Sequence, residues 1–166
     1  MVKREIERTV QPSLLDRLTD LDPRSGGDGR VTYLESVRLF KASIQRDLEW
    51  LLNTRRIPAS PPDVLEELRH SMYLYGLPDL TSLSRDDPSA RLQLLRRVEA
   101  TIAVFEPRLK DVHISMTETE GEQRKRELRF VVEGTLIMDP TPEQVMFDTV
   151  LNFSSGEYEV AGAGDA

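Results

Sequence analysis

A chain of 166 residues is sized for one domain with an arm or tail, and 39% hydrophobic against 31% charged residues excludes a disordered or fibrous polypeptide. The 29 acidic residues outnumber the 22 basic ones for a net charge of -7, which argues against nucleic acid and against insertion into or adsorption on an anionic membrane. The lack of cysteine excludes disulfides, thiolate metal sites and a cysteine nucleophile.

The charged start, Met1-Val2-Lys3-Arg4-Glu5-Ile6-Glu7-Arg8, leads into no apolar run of signal-peptide length, so the chain is expected to stay in the cytoplasm. Residues 1–29 read as an N-terminal arm. Within it Leu14, Leu15, Leu18 and Leu21 share one side of a short helix that Ser13 caps. So short a helix is marginal alone, so its leucines must dock, either on their own domain or on a partner. The breaker-rich Asp22-Pro23-Arg24-Ser25-Gly26-Gly27-Asp28-Gly29 separates this arm from a main domain spanning residues 30–160, and residues 161–166 read as a flexible tail.

Thr32 and Glu35 form a capping box, after which Val37, Phe40, Ile44, Leu48 and Leu51 recur on one face of a long helix. The stretch Ile57-Pro58-Ala59-Ser60-Pro61-Pro62 stiffens the exit and predicts a short helix through Val64, Leu65 and Leu68. A turn at Tyr75-Gly76-Leu77-Pro78-Asp79 follows. A second long helix opens at Asp87-Pro88, carries Leu92, Leu95, Val98, Ile102 and Phe105 on its apolar face with Arg91, Arg96 and Arg97 elsewhere, and stops at Glu106 because Pro107 follows.

The period then changes from 3.6 to 2. Val112, Ile114 and Met116 predict one strand, Leu128 to Met138 a second, and Val145, Phe147, Thr149, Leu151 and Phe153 a third, with a short fourth at Tyr158 and Val160. Glu120-Gly121-Glu122 marks the first hairpin, where Glu118, Glu120 and Glu122 face Arg124, Lys125 and Arg126 across the turn. The predicted fold class is α+β: two long helices packed on one face of an antiparallel three- to four-stranded meander. Val131, Ile137, Met146 and Val150 fall opposite the core row; either a partner or the chain's own arm covers that face.

Chemistry is sparse. His70 and His113 are the only imidazole bases and neither sits in a nucleophile motif. Without cysteine they make no zinc site, and no phosphate-binding glycine motif occurs. No carboxylate pair stands out for glycoside hydrolysis. The sequence therefore predicts no catalytic residue, metal or cofactor. The informative junction is Glu106-Pro107-Arg108-Leu109, where a carboxylate meets the unfavourable end of a helix dipole and calls for a cation, either Arg108 or one from a partner.

That junction, with Ser13-Leu14-Leu15-Asp16-Arg17-Leu18, Asp47-Leu48-Glu49-Trp50-Leu51-Leu52-Asn53-Thr54-Arg55-Arg56 and Tyr75-Gly76-Leu77-Pro78-Asp79-Leu80, closely resembles the TssE family. These are baseplate subunits of bacterial type VI secretion systems, similar in turn to the small wedge protein of contractile phage tails. The resemblance implies a non-enzymatic structural subunit beside TssF, TssG and TssK, from which the sheath of TssB and TssC polymerises. It also singles out Glu106, Pro107, Arg108 and Leu109, with Leu14, Leu15 and Leu18, as partner-binding residues. A peptidoglycan hydrolase and a generic cytoplasmic adaptor are the alternative readings.

Overall fold

In the computed structural model residues 9–19, 31–62, 64–78, 87–117, 126–139 and 141–165 are described. Leu21, the glycine-rich linker and the first hairpin turn, with all its facing charges but Arg126, lie outside them. The elements run α1 (Leu14–Leu18), α2 (Tyr33–Asn53), α3 (Pro88–Phe105), β1 (Leu109–Met116), β2 (Glu127–Leu136), β3 (Glu143–Asn152) and β4 (Tyr158–Asp165). The strands form one antiparallel sheet in the order β1-β2-β3-β4, so the protein is a mixed α/β fold with a four-stranded meander.

Local chemistry starts each helix where expected. Ser13 Oγ accepts from the Asp16 backbone N–H at 3.2 Å, Thr32 Oγ1 from that of Glu35 at 3.3 Å, and Asp87 Oδ1 from that of Ser89 at 2.8 Å, ahead of Pro88 in the first turn. On α2 the apolar face is the predicted one, with Phe40, Ile44, Leu48 and Leu51 buried and Val37 packed against them. On α3 the predicted Leu95, Val98 and Ile102 are buried and Phe105 packs against the core, but the buried face is wider than expected and takes in Arg91, expected on another face. Ala90, Arg91, Leu94, Leu95, Val98 and Ile102 are buried, while Leu92, expected inside, is half exposed. Leu92 lies one residue, about 100° of helix, away from the Arg91-Leu94-Val98-Ile102 line that faces the sheet.

The expected helix through Val64, Leu65 and Leu68 is instead two 3-10 turns, Glu66–His70 and Met72–Leu74. Val64 and Leu65 are exposed, so no apolar face rewards an α-helix there, and short i to i+3 bonds such as Leu68 N–H to the Leu65 carbonyl take over. The turn beyond is pinned by Gly76. Its φ of 96° is open to glycine, and an added Cβ would lie 2.2 Å from the Thr54 carbonyl oxygen.

In the sheet, Leu128, Phe130, Val132 and Leu136 of β2 face Val145, Phe147, Thr149 and Leu151 of β3 across a continuous buried layer. The first strand departs from simple alternation. Leu109 and Ile114 are both buried, although an odd and an even position of one regular strand point to opposite faces. One extra residue between the pairs Lys110↔Thr135 and His113↔Glu133 resets the phase, with Asp111 at φ 51°, a β-bulge that turns Leu109 into the core with the expected Ile114; Val112 packs against that core and Met116, at the strand end, is half exposed. The fourth strand also runs further than its small residues suggested. Backbone pairing reaches Val145↔Asp165, because ladder bonds need no side chains, so residues 161–165 belong to the sheet instead of a loose tail. The long helices take different edge strands, α2 lying against β4 and α3 against β1, and both contribute to one apolar cluster with the sheet.

Gly134 stands opposite the β1 bulge, and a Cβ there would lie 2.8 Å from Leu109 Cγ and 3.1 Å from the Lys110 carbonyl oxygen. Gly134→Ala is therefore expected to lose about 1–3 kcal/mol through overpacking. Urea denaturation measures this, and a variant as stable as the parent would show that the bulge does not close on Gly134.

Candidate partner-binding corner

Helix α3 ends because Pro107 cannot continue it, and Glu106 turns out of helical geometry at φ -117°, ψ 77°. Two backbone bonds shape the corner: Glu106 N–H donates to the Ile102 carbonyl at 2.8 Å, and Leu109 N–H to the Glu106 carbonyl at 3.1 Å. The bend brings Arg108 back over the Glu106 carboxylate. Arg108 Nε donates to Glu106 Oε1 at 2.6 Å and Nη2 to Oε2 at 2.5 Å, a bidentate fork that a guanidinium makes and an ammonium does not. The backbone N–H of Arg108 adds a third bond to Oε1 at 3.3 Å.

The fork does not stand alone. Arg108 Nη2 also donates to Asp47 Oδ2 of α2 at 2.6 Å, and the other oxygen of Asp47 accepts from Arg46 Nη2 at 2.8 Å and Nε at 3.1 Å. Arg46 Nη1 then reaches Asp16 Oδ1 of α1 at 2.7 Å. A chain of alternating charge, Asp16, Arg46, Asp47, Arg108 and Glu106, so ties the arm, the first long helix and the corner together. Three carboxylates against two guanidiniums leave it one negative charge in excess. Burial works against the charge on Arg108, but the bonds to Glu106 and Asp47 outweigh it and hold its pKa above the ordinary arginine value.

Of the residues singled out from sequence, Glu106 is buried and Arg108 partly so. Pro107 is exposed. Leu109 is 1% exposed and serves the core, not the surface, because the bulge turns it under the sheet. The cation for Glu106 comes from Arg108 of the same chain. The arm engages its own domain chiefly through Val10 and polar groups. Val10 is buried, and its N–H donates to Ser36 Oγ of α2 at 3.1 Å, while Asp16 holds Arg46. Leu14, Leu15 and Leu18 remain 71%, 50% and 76% exposed. Leu14 and Leu18 are the more exposed because the polar side of α1, through Ser13 and Asp16, is the side tied down, and Leu15 lines a groove beside α2. The described arm thus lies on α2 and not over the outer sheet face, where Val131, Met146 and Val150 are half-buried and Ile137 is exposed.

Beside the charged chain lies a groove of about 400 Å³ whose apolar walls are Leu15, Trp50, Leu51, Tyr75, Phe105 and Pro107, with Asp47, Glu106 and Arg108 along it. Tyr75 and Phe105 meet edge to face at 5.4 Å, and Arg46 lies 4.9 Å over the half-exposed Trp50 ring. Burial, then the negative charge of Asp47 and Glu106, pushes the Tyr75 pKa up. Sequence reasoning missed the parts played by Arg46, Asp47 and Trp50. Asp47 and Trp50 belong to a segment that carries the family resemblance, but their role depends on contacts distant in sequence. The groove is thus apolar along most of its wall and carries the carboxylates of Asp47 and Glu106 and the Arg108 guanidinium in its lining. Among the described residues there is no group of histidine, aspartate and glutamate arranged to hold a metal ion, and no helix is long and apolar enough to cross a membrane.

Arg108→Ala strands a carboxylate that is 4% exposed, so it costs more than the loss of an exposed ion pair. A loss of about 3–5 kcal/mol is expected, and urea unfolding should show part of it recovered in the Glu106→Gln/Arg108→Ala double variant. An equal loss in both would remove the charge argument. A second outcome concerns Asp16. Burial tends to raise its pKa, but bonds from Ser13 and Arg46 and the Arg46 charge bring it below the ordinary 3.8. A carboxylate lowered on folding stabilises fully above its unfolded value and ceases to do so as pH falls through the folded one. Emission from Trp50, the sole tryptophan, which stacks on Arg46, should therefore titrate below pH 3.8 in the parent, with that transition absent in Asp16→Asn.

The family model for baseplate wedge protein gp25 matches residues 38–141, a stretch that includes most of α2, all of α3, the corner and the first two strands. No curated protein and no solved structure matches the chain.

Proposed function

The chain belongs to the family of baseplate wedge protein gp25, and from that premise we propose that it is the TssE-type wedge subunit of a type VI secretion system. In this reading it is a cytoplasmic structural protein that joins the baseplate components TssF, TssG and TssK to the contractile sheath of TssB and TssC and helps to start sheath polymerisation. Its family is one of structural baseplate parts, and the reading assigns it no catalysis.

The observation that carries the proposal is the corner at the end of α3. The Glu106-Pro107-Arg108 segment of the resemblance is built into a buried bidentate pair, so its first role is to hold a bent backbone rigid beside an open apolar groove. A preformed groove avoids ordering losses on association. The uncompensated negative charge of the chain from Asp16 to Glu106 favours a partner that brings a lysine or arginine. The exposed Leu14, Leu15 and Leu18, fixed on a short helix whose polar side is already anchored, supply apolar area next to that groove. The wedge partners TssF and TssG are assigned to this end of the molecule, and the sheath to the sheet.

Replacing Leu14, Leu15 and Leu18 together by serine should leave the far-ultraviolet circular dichroism and the unfolding midpoint unchanged, because none of the three is buried. Co-purification with TssF and TssG should fall at least about tenfold, equivalent to roughly 1.4 kcal/mol. Undiminished recovery of the wedge complex would remove the arm from the interface.

A further inference from the structure

The described arm is fastened to α2 at two places. At one, Val10 is buried and gives its N–H to Ser36 Oγ at 3.1 Å. At the other, Asp16 Oδ1 holds Arg46 Nη1 at 2.7 Å. Between these ties lies a cavity of about 370 Å³ lined by Val10, Pro12, Asp16, Ser36, Leu39 and Arg46, so the seam is unfilled along its middle. Helix α1 buries none of its own residues. A segment with so little buried contact belongs to the part of a fold that opens first.

One side chain links the arm's own fold to its docking. Asp16 Oδ2 accepts from Ser13 Oγ at 2.6 Å while Oδ1 holds Arg46, so the group that clips the arm to α2 also steadies the helix cap. Arg17 N–H to the Ser13 carbonyl at 3.1 Å and Thr19 N–H to the Leu15 carbonyl at 3.0 Å close the turn behind it. The docked arm gives the groove two things. Ser13 and Leu15 line one side of it. Asp16 supplies the excess negative charge of the ion chain, because without it Arg46 and Arg108 face Asp47 and Glu106 in balance. Arg17, the cation of the same turn, is exposed and projects about 100° around α1 from Asp16.

We propose that the arm is a strap that closes on α2 as one body, and that the groove takes its partner only while the strap is closed. The proposal rests on the wedge-subunit reading above and adds a switch to it. Closed, the groove has its full lining and a net negative charge beside it, which fits a segment bringing apolar side chains and a lysine or arginine. Open, it loses the side formed by Ser13 and Leu15, and its remaining charges balance. Groove occupancy and closure at Val10 are then coupled, and because linkage is reciprocal a bound partner holds the strap shut. The coupling spans about 15 Å of α2 between Arg46 and Ser36, and Val10 lies outside the groove it reports on.

Amide hydrogen exchange and binding, both on the full chain, test this. Asp16→Asn removes the clip and leaves the acceptor of the Val10 N–H in place, yet it should speed Val10 exchange at least about threefold. An unchanged Val10 rate would show that the two ties open separately and would overturn the strap. In the parent, a saturating purified TssF–TssG complex should slow Val10 exchange at least about tenfold. Val10→Asp places a charge at a buried site and so holds the strap open; with circular dichroism unchanged, it should bind the same complex at least about tenfold more weakly. Parent binding with Val10 exchange unchanged or faster, or undiminished binding by Val10→Asp, would mean that the partner takes a released arm, which overturns the switch and leaves the wedge reading standing. A parent that does not bind the TssF–TssG complex would overturn that reading and this inference with it.

Discussion

A carboxylate almost removed from water sits at the end of α3, and the rest of the corner is arranged around keeping it charged. Glu106 lies where the helix dipole is unfavourable to an anion, and burial adds a desolvation cost that a single surface cation would not offset. The bidentate Arg108 fork answers both, but only on the bend that Pro107 enforces, because residues two apart meet in this way when the backbone doubles back. Arg108 in turn is shared with Asp47, so the position of α2 relative to the start of β1 is tied to the same pair. The arm is tied in through Arg46 and Asp16. Three separate segments thus converge on one charge balance, and it ends one cation short.

That arrangement also governs what the surface beside it exposes. The side chains that would ordinarily satisfy exposed polar groups are already committed inward, while Trp50, Pro107 and the three arm leucines stay accessible. An interface core gains from rigid aromatic and aliphatic anchors whose neighbours do not reorganise, and the ion chain supplies that rigidity. At the opposite side of the architecture, α2 serves the sheet differently. The side-chain amides of its Asn53 and Gln45 stand where a neighbouring strand would at Tyr158 and Val160 of β4, so the same helix that builds the core also satisfies part of that edge.

Much of this was legible in the residues. Capping by Ser13, Thr32 and Asp87 was visible because a cap and its helix lie within three residues of one another. The inward rows of β2 and β3 were visible because alternation is a local pattern. The choice of Leu94 over Leu92 on α3 was not, since the two are equally apolar and only the sheet beneath selects between them. Nor was the bulge at Asp111, which shifts the phase of β1 and brings Leu109 into the core beside the expected Ile114. The absence of an α-helix at Val64, Leu65 and Leu68 followed from there being no surface for them to cover, a fact about the fold and not about the segment. In the corner, the need for a cation near Glu106 was readable from the helix dipole, whereas the depth of its burial was not.

The amino-acid order by itself determined the kinds of elements, their succession, their caps and the segments that mark the gp25 baseplate wedge family, because all of these are written in spacings of a few residues. Only the tertiary structure decided which charges pair, which leucines stay outside and which edge groups the α2 amides satisfy. Arg108 meets Asp47 across 61 positions and Asn53 meets Tyr158 across 105. Contacts of that separation depend on how helices settle on a twisted, bulged sheet, and no local periodicity encodes them.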